Sequence, residues 1–178
     1  MNKPEEPLKT LARQELARIY GEEEHRDLLV MLRARGKDLW AGIGDDQFAA
    51  EYLTAKLALA CLAWEYACRE SGYTEEGYAK MFFRQIMEGF KSPKMAALAA
   101  AFSDYYFVCE KGSEEPAGLL LTARLSVRLN LKHSGVRREA PEAPDLAGLQ
   151  VLLETLEGFR VSFENLCLER MIPSAEGR

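Results

Sequence analysis

Three groups of residues in this 178-residue chain have types and spacings that could do chemistry. Residues 117–138, AGLLLTARLSVRLNLKHSGVRR, hold five basic side chains and no acidic one, in a chain of formal net charge -5. The remainder therefore carries about -10, so this segment is where an anionic partner meets least repulsion. Arg124, Arg128 and Lys132 recur four residues apart, which on a helix forms a slanting basic stripe able to follow phosphates. Arg137 and Arg138 would extend that anion-binding stripe, and an acidic protein could meet the same surface. Glu22 and His25 form an ExxH pair, which can aim a carboxylate and an imidazole to one side of a helix. The only other histidine, His133, has Asn130 three residues earlier, so a second ExxH is missing, and neither a metal nor a cofactor is expected. Cys61, Cys68, Cys109 and Cys167 include no CxxC pair, and each stands among apolar or aromatic residues. They read as buried thiols acting as small hydrophobes. No glycine-rich phosphate loop, zinc cysteine cluster or serine esterase motif is present.

Helices must position these groups. Leu8, Leu11, Leu16, Ile19 and Tyr20 recur at helical spacing up to Gly21, and Leu28, Leu29, Leu32 and Leu39 continue the pattern. Gly21 is either a turn or the internal glycine of one longer helix, at a cost of about 1 kcal/mol relative to Ala. Gly42 and Gly44 break the pattern, and Asp45 or Asp46 can accept hydrogen bonds from the free amides of a helix start. Phe48, Tyr52, Leu59, Ala63 and Ala67 then return to one face and predict a helix over 46–70. Its Ala, Leu and Cys content allows contact on more than one side and a central position.

Ser71-Gly72-Tyr73-Thr74 is the next break, followed by a helix through Tyr78, Met81, Phe82, Gln85 and Ile86 to about Gly89. Ser92-Pro93 reads as the N-cap and first position of a helix running to about Cys109. Its YYF run at 105–107 cannot point in one direction, so the helix either contacts two neighbours or presents aromatic surface to a partner. Two periods compete over 124–132. Leu125, Val127, Leu129 and Leu131 alternate with polar residues as in a strand, whereas Leu120, Val127 and Leu131 return to a helical face. Helix is the expectation, because no partner strand flanks the segment and a lone strand would expose unpaired backbone groups. EAPEAPD at 139–145 is a connection. Asp145 reads as the cap of a last helix whose core face is Leu149, Leu152, Leu156, Phe159, Phe163 and Leu166, with Pro173 at its end.

The pattern predicts an all-α fold, a compact multi-helix bundle of five to seven helices without internal repeats. Residues 8–172 read as a single helical domain between a flexible N-terminus, 1–7, and a flexible C-terminus, 173–178. The run LALACLAW is bounded by Lys56 and Glu65, far short of the roughly 20 apolar residues of a membrane span. MNKPEEPLKT lacks an apolar signal segment. No membrane partner is expected, and the location is read as cytoplasmic.

Two short stretches resemble known families. RQELARIYGEEEHRDLLVMLRARG resembles the helix-turn-helix family in Leu16-Ala17, Gly21 and Val30, over about one eighth of the chain. Its second helix departs from that family at Glu22 and Asp27, and the negative charge of EEEHRD argues against sequence-specific DNA binding through phosphate repulsion. The Arg128-x4-His133 arrangement resembles the short signature of the HEPN superfamily, all-helical proteins that include metal-independent ribonucleases working as dimers. The resemblance implies that Arg128 stabilises phosphate charge and that His133 acts as general base or acid. Leu129 departs from that family's pattern, where a polar residue commonly follows the Arg. Residues five apart on an ideal helix lie about 140° apart around its axis, so a composite site needs a helix end near His133, helped by Gly135, or a dimer.

The main expectation is a small helical protein-interaction, regulatory or assembly subunit, with another protein or a second copy of itself as partner. The alternative is a HEPN-like metal-independent ribonuclease or RNA-binding protein using the basic segment 124–138. Enzyme status is left open.

Overall fold

The computed structural model describes residues 5–21, 23–35, 37–93, 95–111, 115–129, 131 and 144–171. Among them the fold is an all-α bundle with no strand. Its helices are α1 (Glu5–Gly21), α2 (His25–Arg35), α3 (Lys37–Trp40), α4 (Asp45–Glu70), α5 (Glu76–Ala79), α6 (Met81–Gly89), α7 (Ala96–Lys111), α8 (Ala117–Arg128) and α9 (Pro144–Met171). Two of these, α3 and α5, are single turns of four residues. The first helix is described from Glu5 to Gly21. The junction at Gly21 is a true break, since α1 ends there and α2 begins at His25.

Local chemistry explains most boundaries. Gly44 is the N-cap of α4, and no side chain caps it. Asp45 instead accepts a hydrogen bond from Arg33 Nη2 at 2.8 Å, while Asp45 and Asp46 place negative charge at the positive end of the helix dipole. At the other end Gly72, with φ 75°, adopts the left-handed conformation that closes a helix. There Tyr73 N–H reaches back to the Cys68 carbonyl at 2.7 Å. The helix expected over 78–89 is divided at Lys80. The Tyr78 carbonyl accepts the Trp64 indole N–H at 3.0 Å, and the Lys80 ammonium reaches Glu65 at 3.1 Å and the Tyr106 hydroxyl. Ser92 begins a turn ahead of α7, its carbonyl accepting from the amides of Met95 and Ala96. α9 is described from Pro144 onward, and the side chain of Asp145, the expected cap, lies outside the described part of the structure.

The competition between strand and helix periods over 124–132 is resolved as helix up to Arg128, with Leu129 in the closing turn. Leu121 and Leu125 are fully buried, and Leu129 nearly so, at i, i+4 and i+8. The alternating pattern arises because Val127, on a different side of the same helix, is 67% exposed.

α4 is the axis of the bundle. It packs most extensively against α9 and α7, and it also touches α1, α2, α5, α6 and α8. Small residues on several of its sides (Ala55, Ala58, Ala60, Cys61, Ala63, Ala67) let these neighbours approach closely. Trp64 stacks on Phe82 with centroids 5.4 Å apart, and Phe82 meets Phe163 edge-on at 5.6 Å, joining α4, α6 and α9. Such pairs add about 0.5–1.5 kcal/mol each beyond their burial. The YYF run divides by direction. Tyr105 is fully buried, Tyr106 hydrogen-bonds Glu65 at 2.7 Å, and Phe107 is half exposed under Lys111 at 4.3 Å.

Candidate functional site

α8 presents two contrasting faces, and both bear on function. Arg124 and Arg128 share one of them, as their four-residue spacing requires, and it is turned toward α4 and α7. Arg128 grips Glu51 with a two-pronged contact, Nε to Oε2 at 2.6 Å and Nη2 to Oε1 at 2.9 Å. Arg124 grips Asp104 in the same way, with both distances 2.7 Å. Arg128 Nη1 also reaches Asp104 Oδ2 at 3.4 Å, so Asp104 bridges the two guanidiniums. The Tyr105 hydroxyl donates to Glu51 Oε2 at 2.8 Å, and its ring lies 5.6 Å from the Arg128 guanidinium.

Two carboxylates therefore face two guanidiniums, and this part of the basic segment is locally neutral. The Arg124 hydrogen bonds hold the Asp104 carboxyl below its ordinary range despite partial burial. The Glu51 hydrogen bond raises Arg128, so its guanidinium stays charged at any accessible pH. Burial, and then Glu51, push the Tyr105 phenol up, which keeps it a proton donor. Planar two-pronged pairing of this kind is the strongest ordinary ion-pair geometry. For either guanidinium to serve a phosphate, it would have to release a carboxylate first.

The other face of α8 is apolar. Leu119, Ala123 and Val127 form a ridge at i, i+4 and i+8, with Leu119 43% and Val127 67% exposed. The same three side chains form the near wall of a groove of about 530 Å³ between α8 and α9, whose far wall includes Leu149, Gln150 and Leu153, with Leu131 also in its lining. Among the described residues, none that lines it is charged. Ser126, also in its wall, donates its hydroxyl to the Thr122 carbonyl within the helix.

No family model, curated protein or solved structure matches this chain. Of the residues singled out by sequence, Arg124 and Arg128 are brought together. Lys132, His133, Arg137 and Arg138 lie outside the described residues, so the Arg-x4-His pairing and the outer stripe have no geometry here. His25 opens α2, while Glu22 falls outside the described residues. Among the described residues no group of three or more His, Cys, Asp or Glu is placed to hold a metal ion. No helix among them is long and apolar enough to cross a membrane. α2 lies chiefly on α9, α3 and α4, whereas α1 lies on α6 and α4. Val30, one of the residues carrying the helix-turn-helix resemblance, is 65% exposed, not packed between two helices.

All four cysteines are free and buried. Burial, ahead of any neighbouring charge, pushes the thiols of Cys68, Cys109 and Cys167 up to about 12, so they remain protonated and unreactive.

Sequence reasoning did not single out Glu51, Asp104 and Lys56. A signal for the last was present in the helical face Phe48, Tyr52, Leu59, Ala63. The position between Tyr52 and Leu59 on that face is Lys56, a charge in a buried line. Glu51 similarly aligns with Ala55 and Ala58, both fully buried. A charged residue in register with core positions implies a partner brought in from elsewhere in the chain.

Proposed function

We propose that this protein is a small helical interaction subunit that pairs with a second copy of itself through α8. The observation that carries the reading is the groove between α8 and α9, whose described lining is uncharged and whose α8 wall is the exposed ridge of Leu119, Ala123 and Val127. A groove whose own wall stands out as a ridge can be self-complementary: a two-fold axis seats each copy's ridge in the other's groove. Charge favours this face as well. Two copies of formal charge -5 repel each other, and a surface whose described lining carries no charge is where that repulsion is least costly to overcome.

The driving force is modest, about 1 kcal/mol for each half-exposed apolar side chain covered. Association is therefore expected to be weak and concentration-dependent. The four free, buried cysteines fit a reducing compartment such as the cytoplasm. Light scattering after size exclusion, across micromolar concentrations, tests the pairing. A species of about 40 kDa, twice the 20.0 kDa chain, should appear on concentration and be absent in a folded Val127→Glu variant. A monomer at every concentration, or a dimer indifferent to Val127→Glu, would end this reading.

A further inference from the structure

The groove between α8 and α9 carries one polar feature that a second copy of the chain does not account for. Thr122 stands in its wall and is only 6% exposed, and the Thr122 hydroxyl has no hydrogen-bond partner among the described residues. Threonine and serine inside a helix commonly return the hydroxyl to the carbonyl four residues earlier. Thr54 does so to Ala50 at 2.9 Å, Ser126 to Thr122 at 2.8 Å and Thr155 to Val151 at 2.7 Å. Thr122 has the same opportunity at Gly118 and leaves it unused. A buried hydroxyl left unpaired is costly, and an incoming group that pairs with it recovers that cost as binding energy.

The rest of the lining sets the character of what enters. Leu119, Val127, Leu149 and Leu153 make it mainly apolar, Ser126 and Gln150 add uncharged polar groups, and none of the described lining is charged. A volume of about 530 Å³ lies within the range of small-molecule sites. An ionised ligand would surrender its hydration here without meeting a counter-charge, so the lining favours a neutral one. The ridge of a second copy, Leu119, Ala123 and Val127, brings no polar side-chain atom and leaves Thr122 unpaired. The segment 132–143, KHSGVRREAPEA, contains one large aliphatic residue, Val136, and five charged ones, so its composition does not match this lining either.

We propose that this groove binds a small uncharged amphiphile, with a hydroxyl or carbonyl group paired to Thr122 and a hydrocarbon body along Val127, Leu149 and Leu153. Threonine in a helix has two accessible χ1 rotamers, so the Thr122 hydroxyl can turn toward such a group. Ser126 commits its proton to the Thr122 carbonyl and keeps lone pairs to accept from a ligand hydroxyl. Amphiphile and second copy exclude one another, a corollary that rests on the pairing reading, whereas the binding itself does not.

Calorimetric titration of the full chain with 1-octanol, at a concentration where light scattering finds only the 20.0 kDa monomer, tests this. Saturable binding at a single site is expected, with octanoate at about pH 7 binding at least about tenfold more weakly because its charge meets no cation. Thr122→Val keeps the side chain's shape and removes the hydroxyl, so it should melt no lower than wild type and bind 1-octanol about fivefold more weakly. Ser126→Leu should fill the groove, retain its helical circular dichroism and lose 1-octanol. The proposal is overturned if 1-octanol does not bind saturably, if octanoate binds as tightly, or if Thr122→Val or Ser126→Leu binds 1-octanol unchanged. At higher chain concentration 1-octanol should also lower the fraction of the paired species. A dimer that persists with 1-octanol bound would overturn pairing through this groove and leave the ligand site standing.

Discussion

Replacing Arg128 with Met separates a structural role for this guanidinium from a phosphate-binding one. The substitution keeps most of the side chain's length and leaves Glu51 and Asp104 without the cation they share. Breaking a fully buried pair from one side costs about 3–5 kcal/mol, and losing a surface pair about 0–1 kcal/mol. Here the Glu51 side chain is 14% exposed and that of Arg128 28%, nearer the buried limit. A loss of about 2–3 kcal/mol is therefore expected, or roughly 5–10 °C in melting temperature for a chain of this length. Glu51→Gln should cost less, because the amide still accepts from Tyr105. Urea unfolding of the two single variants and the double variant, followed by circular dichroism, gives the coupling energy between the residues. It should be about 1.5–2 kcal/mol and should largely survive added salt, since the pair is mostly shielded from solvent. A loss below about 0.5 kcal/mol in Arg128→Met, or additive single variants, would refute the reasoning. It would also release Arg128 for the RNA contact that its place in the basic segment suggests.

Two further perturbations follow from the same geometry. Gly148→Ala would place a Cβ 2.6 Å from Nε1 of the fully buried Trp40. Overpacking of about 1–3 kcal/mol should outweigh the roughly 1 kcal/mol gained in helix propensity. Gly158→Ala, which meets nothing, should instead stabilise by about 0.5–1 kcal/mol, and equal effects in thermal melts would show that Trp40 does not press on α9. Acid should act through two carboxyls. Asp104 is held low by the Arg124 hydrogen bonds, and Glu24, although burial pushes it up, is brought below its ordinary range by Lys56. Both groups therefore contribute stability that is fully present above about pH 4 and is lost as the pH falls through their lowered folded values. Melting temperatures measured from pH 6 down to about pH 3 should fall less steeply in Asp104→Asn than in wild type, and parallel curves would remove Asp104 from the account.

Much of the scaffold could be read from local pattern because local chemistry decides it. The helix expected over 46–70 is α4 within one residue, since its boundaries are set by Gly44 and Gly72 and its interior by uninterrupted apolar spacing. The break at Lys80 could not be read in that way. It depends on Trp64 donating to a carbonyl fourteen residues away, a contact that exists only after α4 and α5 meet. The same holds for the charged face of α8. Spacing placed Arg124 and Arg128 together, but their partners lie 20 and 77 positions earlier, on α7 and α4, so a stripe read as open to an anion is neutralised by distant carboxylates. Charge totals along a segment report composition, whereas availability depends on which helices the bundle brings alongside.

The central place of α4 also has a consequence for the chain during its own synthesis. α4 is complete at Glu70, but α9, the helix that covers it most extensively, is not complete until Met171, about 100 residues later. At roughly 5–20 residues per second, a helix with apolar residues on several sides waits about 5–20 s for its principal cover. Among the described helices, α7 is the main cover to arrive in that interval, and it does not supply the Phe159 and Phe163 rings. The nascent chain is thus most exposed to aggregation and most dependent on holding factors between the completion of α4 and the arrival of α9. Substitutions that weaken the α4–α9 seam should lower the yield of folded protein in cells more than their effect on equilibrium stability implies.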